Sequence, residues 1–166
     1  MKIESPYELL TDQIRDLHNV ETQVASTMPD LAAQAHDPEL RVFLAKQEEL
    51  ALVQKDRLRQ AAEALGSDPG GDVCKAMQGL IEGGDKHVAM AEGSLVTYLI
   101  LTAHVSRIFH YQIAGYEFAH QLAKCLGIAS VELLLFASTR EEREAADALG
   151  TLSDRFFREA QTGEAG

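Results

Sequence analysis

Four polar side chains able to hold a proton or a metal ion recur near the middle of four apolar stripes: Glu21, Gln54, Gln112 and Glu142. The residues of each stripe are three or four positions apart, which is typical of an amphipathic helix facing a core. A buried carboxylate is costly unless it is paired, protonated or bound to metal. The sequence therefore predicts a polar layer inside a helical core, and the chemistry of that layer is the functional question.

The same stripes predict which apolar side chains form the core around the layer. Strand signals are weak, because no alternation of apolar and polar residues persists along the chain. We therefore expect an all-α fold. The residues expected to be buried together are Leu10, Ile14, Leu17, Leu50, Val105, Phe109, Leu135 and Leu149.

Capping residues mark where the first two helices begin and end. Ser5 and Asp37 each stand before a proline, the arrangement of an N-cap followed by Pro at the first helical position. Gly66 is expected to end the second helix. Pro29 lies inside the first helical segment and should kink or divide that helix.

Glycines and serines indicate the remaining boundaries. Residues 74–81 read as a short helix that Gly83 and Gly84 end. Ser94 is expected to cap a third long helix that ends at Gly127, and Ser130 to start a fourth that runs to about Ala160. Residues 161–166 are expected to be a disordered tail.

These elements predict a single domain over residues 1–160. Four helices of roughly 28–33 residues would each span about 40–50 Å at 1.5 Å per residue. The first two are joined by a short turn, and the second and third by a segment long enough to cross the bundle. The expected architecture is an antiparallel four-helix bundle with a short extra helix on the crossover.

Charge and composition exclude some partners. The 166 residues include 26 acidic and 15 basic side chains, a net charge of −11, which argues against nucleic acid and anionic membranes. No apolar run approaches the about 18 residues of a membrane span. Cys74 and Cys125 suit a reduced compartment, although they could form one disulfide. We expect a cytoplasmic protein.

Four segments resemble the YciE/YciF family of ferritin-like proteins, which is linked with bacterial stress responses. They are residues 14–23 (IRDLHNVETQ), 37–41 (DPELR), 74–81 (CKAMQGLI) and 110–116 (HYQIAGY), and the third is the most specific. At His18 the family often has Tyr. The resemblance covers nearly the whole chain and implies a ferritin-like bundle with a short fifth helix and frequent dimerisation.

Ferritin-like bundles commonly hold two metal ions between glutamates and Glu-x-x-His motifs. In this chain the family's ligand pattern is incomplete, since carboxylates remain at two positions only. Two carboxylates and two amides cannot compensate two divalent ions. In chain order the family's ligand positions fall on Glu21, Leu50, Gln54, Phe109, Gln112, Glu142 and Ala146.

Several readings of the layer stay open at this stage. The first is a metal-free, hydrogen-bonded layer that fixes helix register; a single cation between Glu21 and Glu142 is another. Glu141 and Glu144 offer an alternative ligand pair at i,i+3 spacing, or a solvated acidic face. His18, three residues before Glu21, is either an added ligand or hydrogen-bond partner, or a packed aromatic residue.

Other candidate groups have simpler interpretations. Glu117 and His120 form a Glu-x-x-His that does not align with the family's ligands, which we interpret as coincidence. His110 is expected in the core or at a dimer contact. Cys74 and Cys125 are expected to be buried, with Cys74 somewhat activated if a helix begins there.

The sequence thus predicts a ferritin-like, stress-associated protein without catalysis or cofactor, working as a homodimer or through a protein partner. Besides the resemblance, the dimer is suggested by Tyr111, Phe156 and Phe157, which are more large aromatic side chains than one seam between helices easily buries. The alternative is a metal-dependent oxidase or peroxide-consuming protein that uses iron or manganese.

Overall fold

A computed structural model describes residues 2–71 and 73–163, and the regular structure in this part of the chain is helical throughout. The all-α class is therefore confirmed. The four long helices contain 29, 27, 32 and 34 residues, and a shorter one of 15 residues lies between the second and third. In chain order they are α1 (Pro6–Gln34), α2 (Pro38–Ala64), α3 (Lys75–Ala89), α4 (Ser94–Cys125) and α5 (Ala129–Thr162).

Two apolar cores show how the long helices run. One core, which we call the lower core, joins the first half of α1 and of α5 to the second half of α2 and of α4. The other, the upper core, joins the remaining halves. Helix α1 is therefore antiparallel to α2 and α4. Because α2 and α4 run in the same direction, the segment that carries α3 crosses the length of the bundle, as the sequence predicts.

The predicted core is correct except at Leu50. The other seven residues are at most 1% exposed, but they divide between the two cores and do not form one cluster. Leu50 is half-buried, because the inward face of α2 is formed by Gln47, Ala51 and Gln54. The second apolar stripe is therefore rotated slightly from its predicted position.

The predicted starts of α1 and α2 are confirmed. The Glu8 amide donates to the Ser5 hydroxyl at 3.2 Å, and the Leu40 amide donates to the Asp37 carboxylate at 2.8 Å. These bonds satisfy backbone donors that a helix start leaves free. Helix α1 continues without a break through Pro29.

Helix α3 is longer than predicted, since it continues through Gly83 and Gly84 to Ala89. The interpretation of these glycines as a helix end is wrong. A Cβ placed on Gly84 would lie 1.9 Å from Nδ1 of His104. Gly84 therefore allows α3 to approach α4 closely, which is a packing role and not a turn.

Three other boundaries differ from their predictions. Gly93, with a φ of +83°, is the N-cap of α4, so Ser94 is the first helical residue. Helix α5 begins at Ala129, one residue before Ser130, and runs to Thr162. The expected tail is therefore helical over its first two residues, while residues 164–166 lie outside the described part.

Candidate functional site

The predicted polar layer lies between the two cores, with one residue from each long helix. Glu21, Gln54, Gln112 and Glu142 are all at most 2% exposed. In each long helix, the buried residues toward one end belong to the upper core and those toward the other end belong to the lower core. These four residues, together with the polar side chains bonded to them or lying at their edge, form what we call the carboxylate layer. Its eight members are Glu21, Gln54, Arg57, Gln112, Tyr116, Ser138, Glu141 and Glu142.

Glu21 is held by donors from α4. The Gln112 amide nitrogen donates to both of its carboxylate oxygens at 3.0 Å, and the Tyr116 hydroxyl donates to Oε1 at 2.8 Å. Gln112 and Tyr116 are one helical turn apart, so they reach the same carboxylate from one face of α4. The charge on Glu21 is thus met by protein hydrogen bonds.

Glu142 is less well satisfied. Its Oε2 has no hydrogen-bond partner, and neither do Oε1 of Gln54 and Oε1 of Gln112. Burying such atoms without partners costs about 1–3 kcal/mol each. Among the fully buried atoms of its described members, the layer therefore contains three unpartnered acceptor oxygens and no unpartnered amide donor.

An ion pair lies at the edge of the layer between α2 and α5. Arg57 holds Glu141 with two guanidinium nitrogens, and its Nη2 donates to Oε1 at 2.8 Å. Arg57 also contacts the Ser138 hydroxyl at 3.5 Å, and Gln54 donates to Glu141 at 3.3 Å. The exposed fractions of the Arg57 and Glu141 side chains are 23% and 21%.

Burial shifts the proton equilibria of the layer. It raises the pKa of Glu21 to about 7, a rise that the hydrogen bonds from Gln112 and Tyr116 partly oppose. Burial, followed by the charge of Glu21, raises the pKa of Glu142 well above its usual value. Burial also raises the pKa of Tyr116, so its phenol stays protonated and donates. Near neutral pH the two buried glutamates therefore carry less than two charges.

Comparison with known proteins decides the family. The family described as "Domain of unknown function (DUF892)" matches residues 5–162. The chain belongs to this family. No curated protein matches it at a significant level.

Solved structures share the fold of this DUF892 chain. YcfI from Rhodopseudomonas palustris is 29% identical, with a TM-score of 0.87 over 90% of this chain and 96% of that one. The E. coli stress protein YciF is 24% identical, with a TM-score of 0.90 over 94% and 99%. A protein from Xanthomonas campestris is 19% identical, with a TM-score of 0.71 over 95% and 99%. The helical bundle and the resemblance to the YciE/YciF family are thus confirmed, and a ferritin-like arrangement is consistent with them.

The side chains of the layer do not fit a two-metal centre. Gln112 turns its amide N–H group toward Glu21, whereas a ligand amide would offer its oxygen to a cation. Phe109, where the resemblance to the family predicts a ligand, is a buried apolar residue. Among the described residues of this DUF892 chain, no three His, Cys, Asp or Glu side chains are grouped so that they could hold a metal ion.

The other candidate ligands lie apart from Glu21 and Glu142. His18 is half-buried, and the hydrogen bonds of the described residues do not join it to Glu21. Burial, and then the charge of Lys55, lowers the pKa of His18. Glu144 is exposed and faces Arg140 at 3.4 Å, so Glu141 and Glu144 do not act together.

The Glu-x-x-His of α4 is not brought together as a site. Glu117 accepts from Arg143 at 2.9 Å, while His120 lies 3.8 Å from Glu132 on α5. The two side chains of the motif therefore bind different partners, in agreement with its interpretation as coincidence.

Two predictions about other candidate residues need correction, and a third is narrowed. His110 is exposed, which excludes the core position and leaves the dimer contact as a prediction, since Phe109 and Gln112 take the inward positions of α4. Cys125 is exposed at the end of α4, and the two cysteines are not bonded to each other. Cys74 is buried as predicted, but burial raises the pKa of its thiol, which is the opposite of activation.

Sequence reasoning missed three members of the layer. Tyr116 and Ser138 lie four residues from Gln112 and Glu142, a spacing that indicates the same buried face of each helix but no hydrogen-bonding role. Arg57 is a charged residue that apolar periodicity does not mark. Its position three residues after Gln54, on the same face of α2, is the signal that could have placed it beside the layer.

Proposed function

We propose that this chain is a non-catalytic, ferritin-like protein of the bacterial stress response, with a hydrogen-bonded layer where related bundles hold two metal ions. The observation that carries the proposal is the pair of hydrogen bonds from Gln112 to both oxygens of Glu21. A carboxylate occupied in this way has its charge stabilised without a cation. The layer then serves to fix the register of the four helices.

The stress association is supported by shared fold and family. The E. coli stress protein YciF has the same bundle over almost its whole length. A cytoplasmic location is supported by the acidic composition and the two unpaired cysteines. Among the described residues, none of the helices combines the length and apolarity that a membrane span requires.

A metal-dependent oxidase that uses iron or manganese is the second candidate function. It is favoured by the unpartnered oxygens of Gln54, Gln112 and Glu142, which are hard ligands of the type such ions accept. Arg57 beside these atoms counts against a bound cation, because its positive charge already balances Glu141.

Metal analysis separates the two functions. The protein is produced in medium with added iron and manganese, purified without chelators and analysed by mass spectrometry for metals. We expect far less than one ion per chain. Stoichiometric iron or manganese that is retained in Glu144→Gln but lost in Glu142→Gln would contradict the metal-free proposal and support the oxidase.

We also propose that the protein is a homodimer. Phe156, one of the residues from which the sequence suggests a dimer, is buried and gives no support. The support comes from apolar side chains that stay exposed, among them Leu133, Phe136 and Phe157, whose exposed fractions are 69%, 50% and 56%. Such side chains are common where a second copy covers them. Light scattering should give a mass near twice the 18.2 kDa of one chain. A mass near that of one chain across micromolar concentrations would refute the dimer.

A further inference from the structure

We propose that a cavity between the end of α3 and the first half of α4 binds a small apolar monocarboxylate, with Arg107 holding the carboxylate and apolar side chains holding the tail. This α3–α4 cavity has a volume of about 370 Å³, which lies within the range of small-molecule sites. It is lined by His87, Met90, Ile100, Ala103, His104 and Arg107. The cavity shares no residue with the carboxylate layer, so the inference goes beyond the proposed function and does not depend on it.

The lining of the cavity combines basic and apolar side chains. Three of the six lining residues, His87, His104 and Arg107, are basic, and the other three are apolar. None of the described residues that line it is acidic, although the chain as a whole has a net charge of −11. A mostly apolar cavity with a few polar groups that fix orientation is typical of a ligand site. The lining therefore favours a ligand with a negative charge and an apolar body.

Arg107 is the lining residue with a permanent charge. It is exposed, and none of the ion pairs between described residues uses its guanidinium. It follows His104 by three positions, so the two side chains lie on one face of α4. A guanidinium offers parallel N–H groups that match the two oxygens of a carboxylate. Arg107 is therefore placed to hold a carboxylate at the mouth of the cavity.

His104 adds a buried polar group to the cavity wall. Its ring is 1% exposed, and neither ring nitrogen has a hydrogen-bond partner among the described residues. Burial is the main cause that lowers the pKa of His104, so near neutral pH the ring is neutral and keeps one N–H donor. A buried donor without a partner is unfavourable. A ligand oxygen in the cavity would supply the partner that the protein does not.

Asp85 limits the charge that the ligand can carry. Its Oδ1 lies 3.4 Å from Nε2 of His104, without the geometry of a hydrogen bond, and about half of its side chain is in solvent. Asp85 does not line the cavity, but its charge is close enough to oppose the binding of an anion. Arg107 offsets one negative charge and not two. The ligand expected here is therefore a monoanion.

The apolar part of the lining defines the rest of the ligand. Ile100 and Ala103 are partly buried on α4, and Met90 at the end of α3 is 76% exposed. Methionine is flexible and adapts to ligands of different shape. Covering these side chains with a hydrocarbon tail removes apolar surface from water on both partners. An acid with an aliphatic tail therefore fits the cavity better than an inorganic anion.

Isothermal titration calorimetry with octanoate tests the proposal. Octanoate should bind to wild type saturably, with one molecule per chain. The compounds 1-octanol and octylammonium have the same tail but no negative charge, so they should bind at least about tenfold more weakly. Inorganic phosphate, which has no tail, should give no saturable heat.

Two variants test the two charges beside the cavity in opposite directions. Arg107→Gln should weaken octanoate binding by about tenfold or more. Arg140→Gln is its matched control, because Arg140 is also an exposed arginine but faces Glu144 on α5, and it should bind octanoate as wild type does. Asp85→Asn removes the like charge and should strengthen binding by about two- to fivefold. Such a gain cannot come from a damaged fold.

Several outcomes would overturn the inference. These are wild type that binds no octanoate up to about 10 mM, 1-octanol that binds as tightly as octanoate, or folded Arg107→Gln with unchanged affinity. Met90→Asp tests whether a second copy of the chain covers the cavity instead. A mass in light scattering that falls to that of one chain in this variant would assign the surface to the dimer and contradict the ligand site. None of these results bears on the metal content of the carboxylate layer.

Discussion

Replacing Gly84 by alanine is expected to destabilise the protein by about 2–3 kcal/mol, at the upper end of the cost of overpacking a core. The added Cβ would lie 1.9 Å from Nδ1 and 2.3 Å from Cγ of His104. The His104 ring is 1% exposed, and the added Cβ would overlap it. Either α3 must move away from α4 or the ring must leave its position, and both lose packing.

Gly83→Ala is the matched control. Nothing lies within 4 Å of a Cβ at this neighbouring helical position, so alanine should be neutral or stabilise by up to about 1 kcal/mol. In a His104→Ala background the further cost of Gly84→Ala should be mostly removed, because the imidazole ring that collides with the added Cβ is then absent. Urea unfolding followed by circular dichroism measures wild type, the three single variants and the double variant. Equal stability of Gly83→Ala and Gly84→Ala would show that α3 does not pack on α4 as described.

Replacing Glu142 by glutamine is expected to make the protein more stable than wild type at pH 8, by about 2 kcal/mol. Glutamine has nearly the shape of glutamate but cannot ionise, so it avoids placing a second charge beside Glu21. Burial is the main reason that the pKa of Glu142 is raised, and the charge of Glu21 adds to it. The fold should be unchanged.

The sign of the pH effect follows from the raised pKa values. A carboxyl group whose pKa is higher in the folded protein contributes stability at low pH that is lost as pH rises toward the folded value. For Glu21, this loss takes place over the pH range from its ordinary pKa of 4.5 to its pKa in the folded protein of about 7. At about 1.4 kcal/mol per pH unit, this single group lowers the free energy of unfolding by about 3 kcal/mol across this range. Wild type should therefore lose stability from pH 5 to pH 8, and Glu142→Gln should lose less.

Urea unfolding at several pH values between 5 and 8 checks this expectation. Glu144→Gln is the control, because Glu144 is exposed and its replacement should change stability by about 0.5 kcal/mol or less at any pH. A Glu142→Gln curve that runs parallel to that of wild type would mean that the pKa of Glu142 is not raised by burial and by the charge of Glu21.

The fold was predictable because local and long-range signals agree. The caps at Ser5 and Asp37 and the glycine at 66 fix where α1 and α2 begin and end, and the apolar spacing fixes which faces are buried. The sequence does not show the role of Gly83 and Gly84, because a glycine that permits close helix approach and a glycine that ends a helix look the same in sequence. The two roles are distinguished by the packing partner of Gly84, which is His104, twenty residues away along the chain.

The layer was predictable in its members but not in its bonds. Regular helical spacing places Glu21, Gln54, Gln112 and Glu142 at one level of the bundle. Which amide donates to which carboxylate depends on rotamers and on the rotation of each helix about its axis, and Leu50 shows that the rotation of α2 was slightly wrong. Arg57 was overlooked for a related reason, since a long charged side chain can reach inward from a boundary position that periodicity classifies as surface.

The crossover that carries α3 has a consequence for the order of folding. Helices α1 and α2 form one hairpin and α4 and α5 another, each joined by a short connection, so their contacts are local in sequence and form quickly. Bringing the two hairpins together closes a long loop, whose entropy is lost before the shared contacts compensate it. The carboxylate layer draws residues from both hairpins, so it can be completed only at this late step. A chain that stops folding before the two hairpins meet would expose the apolar residues of both incomplete cores, and its Glu21 would still be in water.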